Sequence, residues 1–203
     1  MKGRGDSLTF TSQFFLFGFL PAVLAATMLA PARARLAVLT LASYGFCAWA
    51  GPVFILPLAA ITAIDYACSR VIAGAPEGAA GRRRLALAAS TVANLGMLVA
   101  FKYLGFFAAN LDALLARLGL ARTGLADAVR LALPLGISFY AFQSLGYVID
   151  VYHRRTEPAR SLLEYACFLS FFPRLAAGPI VRFKEFAPRL RAPAVGLASF
   201  SRG

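Results

Sequence analysis

Charge is scarce in this chain, and acidic charge is scarcest. Charged residues make up 15% of the 203 positions, with 9 Asp and Glu against 21 Lys and Arg. Soluble domains carry about 25% charged residues. The hydrophobic set reaches 60% and the mean hydropathy is +0.69. A chain of this length cannot hide that much apolar surface inside one globule, which excludes an ordinary soluble domain and implies an integral membrane protein. Histidine occurs once, as His153, and the 3 cysteines, Cys47, Cys68 and Cys167, sit in apolar runs without CxxC spacing. This removes a zinc site and a disulfide framework, and leaves the cysteines as small buried hydrophobes. No internal repeat is evident.

The net charge of +12 raises nucleic acid as a partner. A nucleic-acid surface gathers its arginines on one face or in one basic domain. Here they form short clusters between apolar runs: Arg33 and Arg35, Arg82 to Arg84, Arg154 and Arg155, and then Arg182 to Arg191. Arginines flanking membrane spans explain this pattern, with membrane lipid and not nucleic acid as the partner.

Crossing the hydrocarbon core as a helix takes about 20 apolar residues. Leu8 to Ala30 supplies one such run, closed by Pro31 and Arg33, and it exceeds the apolar core of a signal peptide. Leu36 to Trp49 and Val53 to Ile72 follow, divided at Gly51-Pro52, where a proline favours two helices over one. The stretch GAPEGAAGRRR (74–84) reads as a loop. Leu85 to Ala109 is the next span, with Lys102 near enough to its end to snorkel. Residues 110–130 scatter Asp112, Arg117, Arg122, Asp127 and Arg130 among leucines, the pattern of a helix lying on the membrane surface. Leu131 to Tyr152 and Ser161 to Val181 complete the series. The expected fold class is all-α: one integral-membrane domain over 1–203, a polytopic bundle of about five or six membrane segments, some broken or re-entrant.

Lysine and arginine asymmetry sets the orientation. The segments 31–35, 70–84 and 153–160 hold nine basic residues, against five in the N-terminus and 110–130. This puts the first three segments in the cytoplasm.

GISFYAFQSLGYVIDVYHRR (136–155) carries unusual polarity for a span. On a helix at about 100° per residue, with Gly136 at zero, Tyr140 falls near +40°, Gln143 near −20°, Tyr147 near +20°, Asp150 near −40° and Arg154 near 0°. Lipid cannot satisfy this stripe, so it faces other helices or water. Asp150 and Arg154 stand at i,i+4 with the acid first, a favourable pairing. An interfacial ion pair with an aromatic belt is the simpler account of Asp150, Arg154, Tyr147 and Tyr152. Helix–helix hydrogen bonding is the simpler account of Gln143. In the following segment Pro173 and Gly178-Pro179 break the apolar run and strand Arg174, which implies a polar chamber inside the bundle. Tyr140, Gln143, Tyr147, Asp150, Arg154 and Arg174 are therefore the candidate channel residues. No catalytic residue and no metal ligand is assigned. His153 is a poor base beside Arg154, Arg155 and Arg160, and Ser138 and Ser144 have no visible base.

Two long motifs, LPLGISFYAFQSLGYVIDVY (133–152) and LSFFPRLAAGPIVRF (169–183), resemble the membrane-bound O-acyltransferase family. The similarity is greatest to the bacterial branch that includes the alginate O-acetyltransferase membrane subunit. FTSQFFLFGFLP (10–21), SYGFCAWAGPVFILPL (43–58), DYACSRVIAG (65–74) and FKYLGFF (101–107) match more weakly. The family's glutamine after FFP is Arg174 here, and its arginine after DVY is His153, so roles at those positions do not carry over.

The resemblance implies a multi-pass protein of the bacterial inner membrane with a funnel through it. It would move acyl groups, commonly acetyl, from a cytoplasmic donor such as acetyl-CoA to a hydroxyl of an exported polysaccharide such as alginate. No bound cofactor is implied, and a periplasmic acetyltransferase or polysaccharide-synthesis proteins are the implied partners. The family's catalytic histidine lies beyond the matched motifs. The chain is therefore expected to be the N-terminal half of such an enzyme, and inactive alone. A non-catalytic scaffold of export machinery and a small transporter are the alternatives.

Overall fold

Proline and glycine set where the apolar runs break. The computed structural model describes residues 13–76, 78–119, 136–175 and 181–191. A π turn (Phe15–Phe19) leads into α1 (Leu20–Leu29), which carries Pro21 at its start, where a missing N–H costs little. After Pro31 the chain enters α2 (Ala32–Ala50). Gly51 is extended, and a Cβ there would meet the Phe54 ring at 2.7 Å, so a larger residue would have to displace that ring. Pro52 opens a 3-10 turn (Pro52–Phe54) that runs into α3 (Ile55–Ala73). The expected division at Gly51-Pro52 is present.

The expected loop over 74–84 is shorter than the sequence implied. α4 (Ala80–Leu98) already includes Gly81 and Arg82 to Arg84. Cations at a helix N-terminus oppose its dipole. Here a tertiary contact offsets that, because the Arg83 guanidinium reaches the Tyr152 carbonyl. The expected division between a span ending at Ala109 and a surface helix beginning at 110 is also absent. α4 continues through a π turn (Val99–Tyr103) into α5 (Leu104–Arg117). Lys102 lies in that π turn, exposed, with Nζ 5.5 Å from the Tyr103 ring centre. Lys2, Arg4, Arg122, Asp127, Arg130 and the Gly178-Pro179 break lie outside the described residues.

Gly136 begins the next element with φ +70°, a conformation that disfavours side chains bearing a Cβ. It leads into α6 (Ile137–Tyr152). α7 (Leu162–Ser170) is capped by Ser161, whose Oγ accepts from the Glu164 N–H at 3.1 Å. The chain turns at Phe171 into the short α8 (Phe172–Leu175), and α9 (Phe183–Arg191) closes the described fold. Glu164 Oε1 accepts from Arg191 Nε at 2.6 Å, which ties α9 to α7 and holds the arginine above its ordinary pKa.

α3, α4 and α6 pack mutually, while α7 fills the angle between α2 and α3. A separate aromatic knot joins Phe15, Phe19, Phe46 and Phe172, with ring centres 5.2 to 6.1 Å apart. All described elements are helical. Their polarity is inverted relative to a water-soluble bundle: Asp65, Ser90, Asn94 and Ser144 are at 0% exposure, while Leu29 and Leu85 stand 86% and 73% exposed. Two helical stretches, Pro52–Ala73 and Ala80–Tyr103, are long and apolar enough to cross a membrane. The first has 22 residues, or about 33 Å of helix against a hydrocarbon core of about 30 Å. Substituting Gly136 by Val is expected to destabilise the fold by about 1–2 kcal/mol, read as a lowered melting temperature in detergent.

Candidate functional site

The α6 stripe turns inward. Tyr140, Gln143, Tyr147 and Asp150 are all buried, while Phe142 and Ile149 on the opposite side are exposed. Each side chain meets a different need. Phe172 N–H donates to Ser43 Oγ at 3.3 Å, because the chain leaves helix geometry at Phe171. This takes away the N–H that would have paired with the Phe168 carbonyl four residues earlier. Gln143 Nε2 fills the gap, donating to that carbonyl at 3.1 Å. The observed role of Gln143 is thus helix–helix hydrogen bonding at a broken helix end.

Tyr147 fastens three segments. Its hydroxyl donates to Ser69 Oγ of α3 at 3.0 Å and accepts from the Ala159 N–H at 2.9 Å. Its ring lies 4.6 Å from that of Tyr165 and 4.9 Å from that of Phe183. The Tyr140 hydroxyl is buried without a hydrogen-bond partner.

The centre of the polar core is a residue outside the predicted set. Asp65 of α3 is fully buried, and its Oδ2 accepts from Asn94 Nδ2 of α4 at 2.7 Å and from Ser144 Oγ of α6. Ser144 in turn pairs with the Tyr165 hydroxyl of α7. Since the serine proton goes to the carboxylate, the tyrosine is the donor, giving a chain Tyr165–Ser144–Asp65. Asn94 Nδ2 also donates to the Ser90 carbonyl at 3.0 Å. Ser90 Oγ sits beside Asp65 without closing a well-formed hydrogen bond, and Asp65 Oδ1 and Asn94 Oδ1 are likewise buried and unpartnered. One carboxyl therefore joins α3, α4, α6 and α7. The sequence held a signal for it: an acid in the apolar run ITAIDYACS, with Ser69 one turn on, and a matching Ser90/Asn94 pair.

The extrapolation of the stripe to Arg154 does not hold. α6 stops at Tyr152, and Arg154 adopts φ +57°. Arg154 N–H donates to the Val151 carbonyl and Arg155 N–H to the Asp150 carbonyl, the pattern of a Schellman helix end. The ion pair measured for Asp150 is with Arg155, Nη1 to Oδ1 at 3.9 Å. The left-handed residue reverses the chain, so helical spacing cannot be carried past position 152. Arg174 lies on α8, its guanidinium 4.7 Å from the Phe186 ring centre and 5.4 Å from that of Phe171, with Nη1 buried and without a hydrogen-bond partner. His153 is exposed at the end of α6, edge-on to Tyr152.

Chemically, Ser144 against a carboxylate has the contact a nucleophile needs. At 0% exposure for Asp65, Ser90, Asn94 and Ser144, however, no substrate reaches it in this arrangement. The core is a fastening built from buried hydrogen bonds. Such bonds contribute about 0.5–1.5 kcal/mol, and interhelical polar pairs in bilayers average about 0.6 kcal/mol.

An all-helical bundle with polar groups inside and leucines outside defines a membrane-type helical protein. Comparison with known proteins narrows this. The chain is 36% identical over 200 residues to the "Probable alginate O-acetylase AlgI" of Azotobacter vinelandii, a match covering 97% of this chain and 38% of that protein. The protein of the same name from Pseudomonas aeruginosa matches at 36% over 97% of this chain and 37% of its own length. A peptidoglycan O-acetyltransferase of Helicobacter pylori is 30% identical over 91% of this chain and 39% of that protein. The chain thus spans a little over a third of the length of these curated relatives. No family model matches, and no solved structure matches. The chain is a homologue of the AlgI-type O-acetylases, and the resemblance to membrane-bound O-acyltransferases carried by its two long motifs holds.

Replacing Asp65 with Leu removes the acceptor of the Ser144 hydroxyl and one acceptor of Asn94 Nδ2 and is expected to cost about 2–3 kcal/mol, while Asp65→Asn keeps an acceptor and costs less. Gln143→Leu leaves the Phe168 carbonyl unpaired and is expected to cost about 1 kcal/mol. Thermal unfolding of the detergent-solubilised protein measures all three. An Asp65→Leu variant as stable as wild type would deny the core its fastening role.

Proposed function

We propose that this chain forms part of a membrane-bound O-acetyltransferase that esterifies hydroxyls of an exported polysaccharide such as alginate. The observation that carries this is the 36% identity to AlgI-type O-acetylases across 97% of the chain. The inverted polarity of the bundle supports a multi-pass arrangement of five or six segments in the bacterial inner membrane.

In the reaction, the polysaccharide hydroxyl attacks the acetyl carbonyl of a cytoplasmic donor, a thioester such as acetyl-CoA. The new C–O bond forms as the C–S bond breaks, and the hydroxyl proton passes through a base to the departing thiolate. None of the described residues is assigned as that base; the resemblance to membrane-bound O-acyltransferases implies a histidine for the role, outside the matched motifs. The polar core holds α3, α4, α6 and α7 in register as the wall of the chamber in which donor and acceptor meet. A periplasmic acetyltransferase or polysaccharide-synthesis proteins are the partners proposed.

A chimera tests this reading: these residues replace the matching stretch of the Azotobacter vinelandii relative in a strain lacking that protein. Ester-linked acetate on the exported polysaccharide, measured by proton NMR, is expected to return. The same chimera carrying Asp65→Leu should show a loss of about tenfold or more, the equivalent of about 1.4 kcal/mol. A chimera that accumulates in the membrane at normal abundance without acetylating would overturn the proposal. Reporter fusions after Gly78 and after Thr156 are expected to report a cytoplasmic location for both.

A further inference from the structure

Serine and threonine hydroxyls inside this bundle mostly return their protons to the helix that carries them. Thr40, Ser43, Thr62 and Ser170 each donate to the carbonyl four residues back at 2.7 to 2.8 Å. Ser90, at 0% exposure on α4, does not: its Oγ is turned to Asp65 and has no hydrogen-bond partner. One helical turn on, and so on the same face of α4, Asn94 Oδ1 is also buried and unpartnered, while its Nδ2 holds Asp65 Oδ2 at 2.7 Å. Asp65 Oδ1 completes the set from α3.

Two of these three oxygens, those of Asn94 and of an ionised Asp65, can only accept. The neutral donors Asn94 and Ser144 both go to Asp65 Oδ2, and among the described residues no lysine, arginine or histidine pairs with the carboxyl. A carboxylate enclosed in an apolar bundle is ordinarily paired, because its lost hydration is otherwise not returned. The seam between α3 and α4 therefore brings together oxygen lone pairs that no neighbouring helix satisfies.

We propose that this seam binds a bare monovalent metal cation, sodium or potassium, held by Asp65 Oδ1, Asn94 Oδ1 and Ser90 Oγ. Carboxylate, amide and hydroxyl oxygens are the ligands of hard cations, whereas the softer metals favour nitrogen and sulfur. One carboxylate balances one positive charge, so a monovalent ion leaves no net charge enclosed and a divalent ion leaves a surplus. At 0% exposure for all three residues the ion is a structural one, enclosed as α3 and α4 pack. Cation binding here requires nothing of the acyl-transfer reading.

Thermal unfolding of the purified protein in detergent, in sodium, potassium or choline chloride at equal ionic strength, reads the ion directly. A saturable rise in melting temperature over choline is expected with sodium or potassium, about 3–6 °C at ten times the dissociation constant. The cation that half-saturates at the lower concentration is the one the site takes. Ser90→Ala is expected to raise that concentration about tenfold. Its fold should survive in choline, since Ser90 Oγ makes no hydrogen bond. Asp65→Asn keeps an acceptor for Ser144 and should unfold at one temperature in all three salts. Equal melting temperatures of the wild type in the three salts would show a carboxyl that holds its own proton or a water, and would overturn the proposal. So would a sodium or potassium response that both variants retain in full.

Discussion

A carboxyl group sealed among helices must be met by donors, and Asp65 is met by two, from α4 and α6. In water, a hydrogen bond to such a group merely replaces one to solvent. Inside a bundle coated with leucine and phenylalanine there is no solvent to return to, so each helix carrying a donor is held at a fixed rotation and depth. Asn94 fixes α4 against α3, and Ser144 fixes α6. Tyr165 brings in α7 through the serine. The apolar contacts around this point, with Leu58, Ile61 and Val148 fully buried, supply area but little specificity of register.

The broken helix after Ser170 follows the same logic. Once Phe171 leaves helix geometry, a buried carbonyl and a buried N–H lose their normal partners, and α6 and α2 supply replacements. Irregular backbone survives there because Gln143 and Ser43 stand ready on neighbouring helices. The family likeness thus rests on two motifs that are also structural partners: the α6 motif carries Gln143, and the FFP motif carries the break that Gln143 repairs.

The two ends of α6 differ in kind. Toward its middle, Gln143, Ser144 and Tyr147 are spent on neighbouring helices, while the Tyr140 hydroxyl and Asp65 Oδ1 are buried without partners. At its C-terminus the chain reverses through Arg154, which holds the left-handed position of a Schellman helix end.

Much of this was legible in the residues. The scarcity of charge, the breaks at Gly51-Pro52 and Phe171-Pro173, and the inward stripe of Tyr140, Gln143 and Tyr147 all follow from local rules of helix winding and proline geometry. Those rules failed where a local signal was overruled. The arginines of 82–84 entered a helix because Arg83 found a distant carbonyl, and Arg154 left the stripe because the helix ended two residues early. Sequence alone determined that polar groups lie along one edge of α6, since a helix has a fixed period. That Asp65 and Ser144, separated by 79 positions, share one hydrogen bond was decided only in three dimensions, because which buried groups meet depends on how helices pack and not on how each one winds.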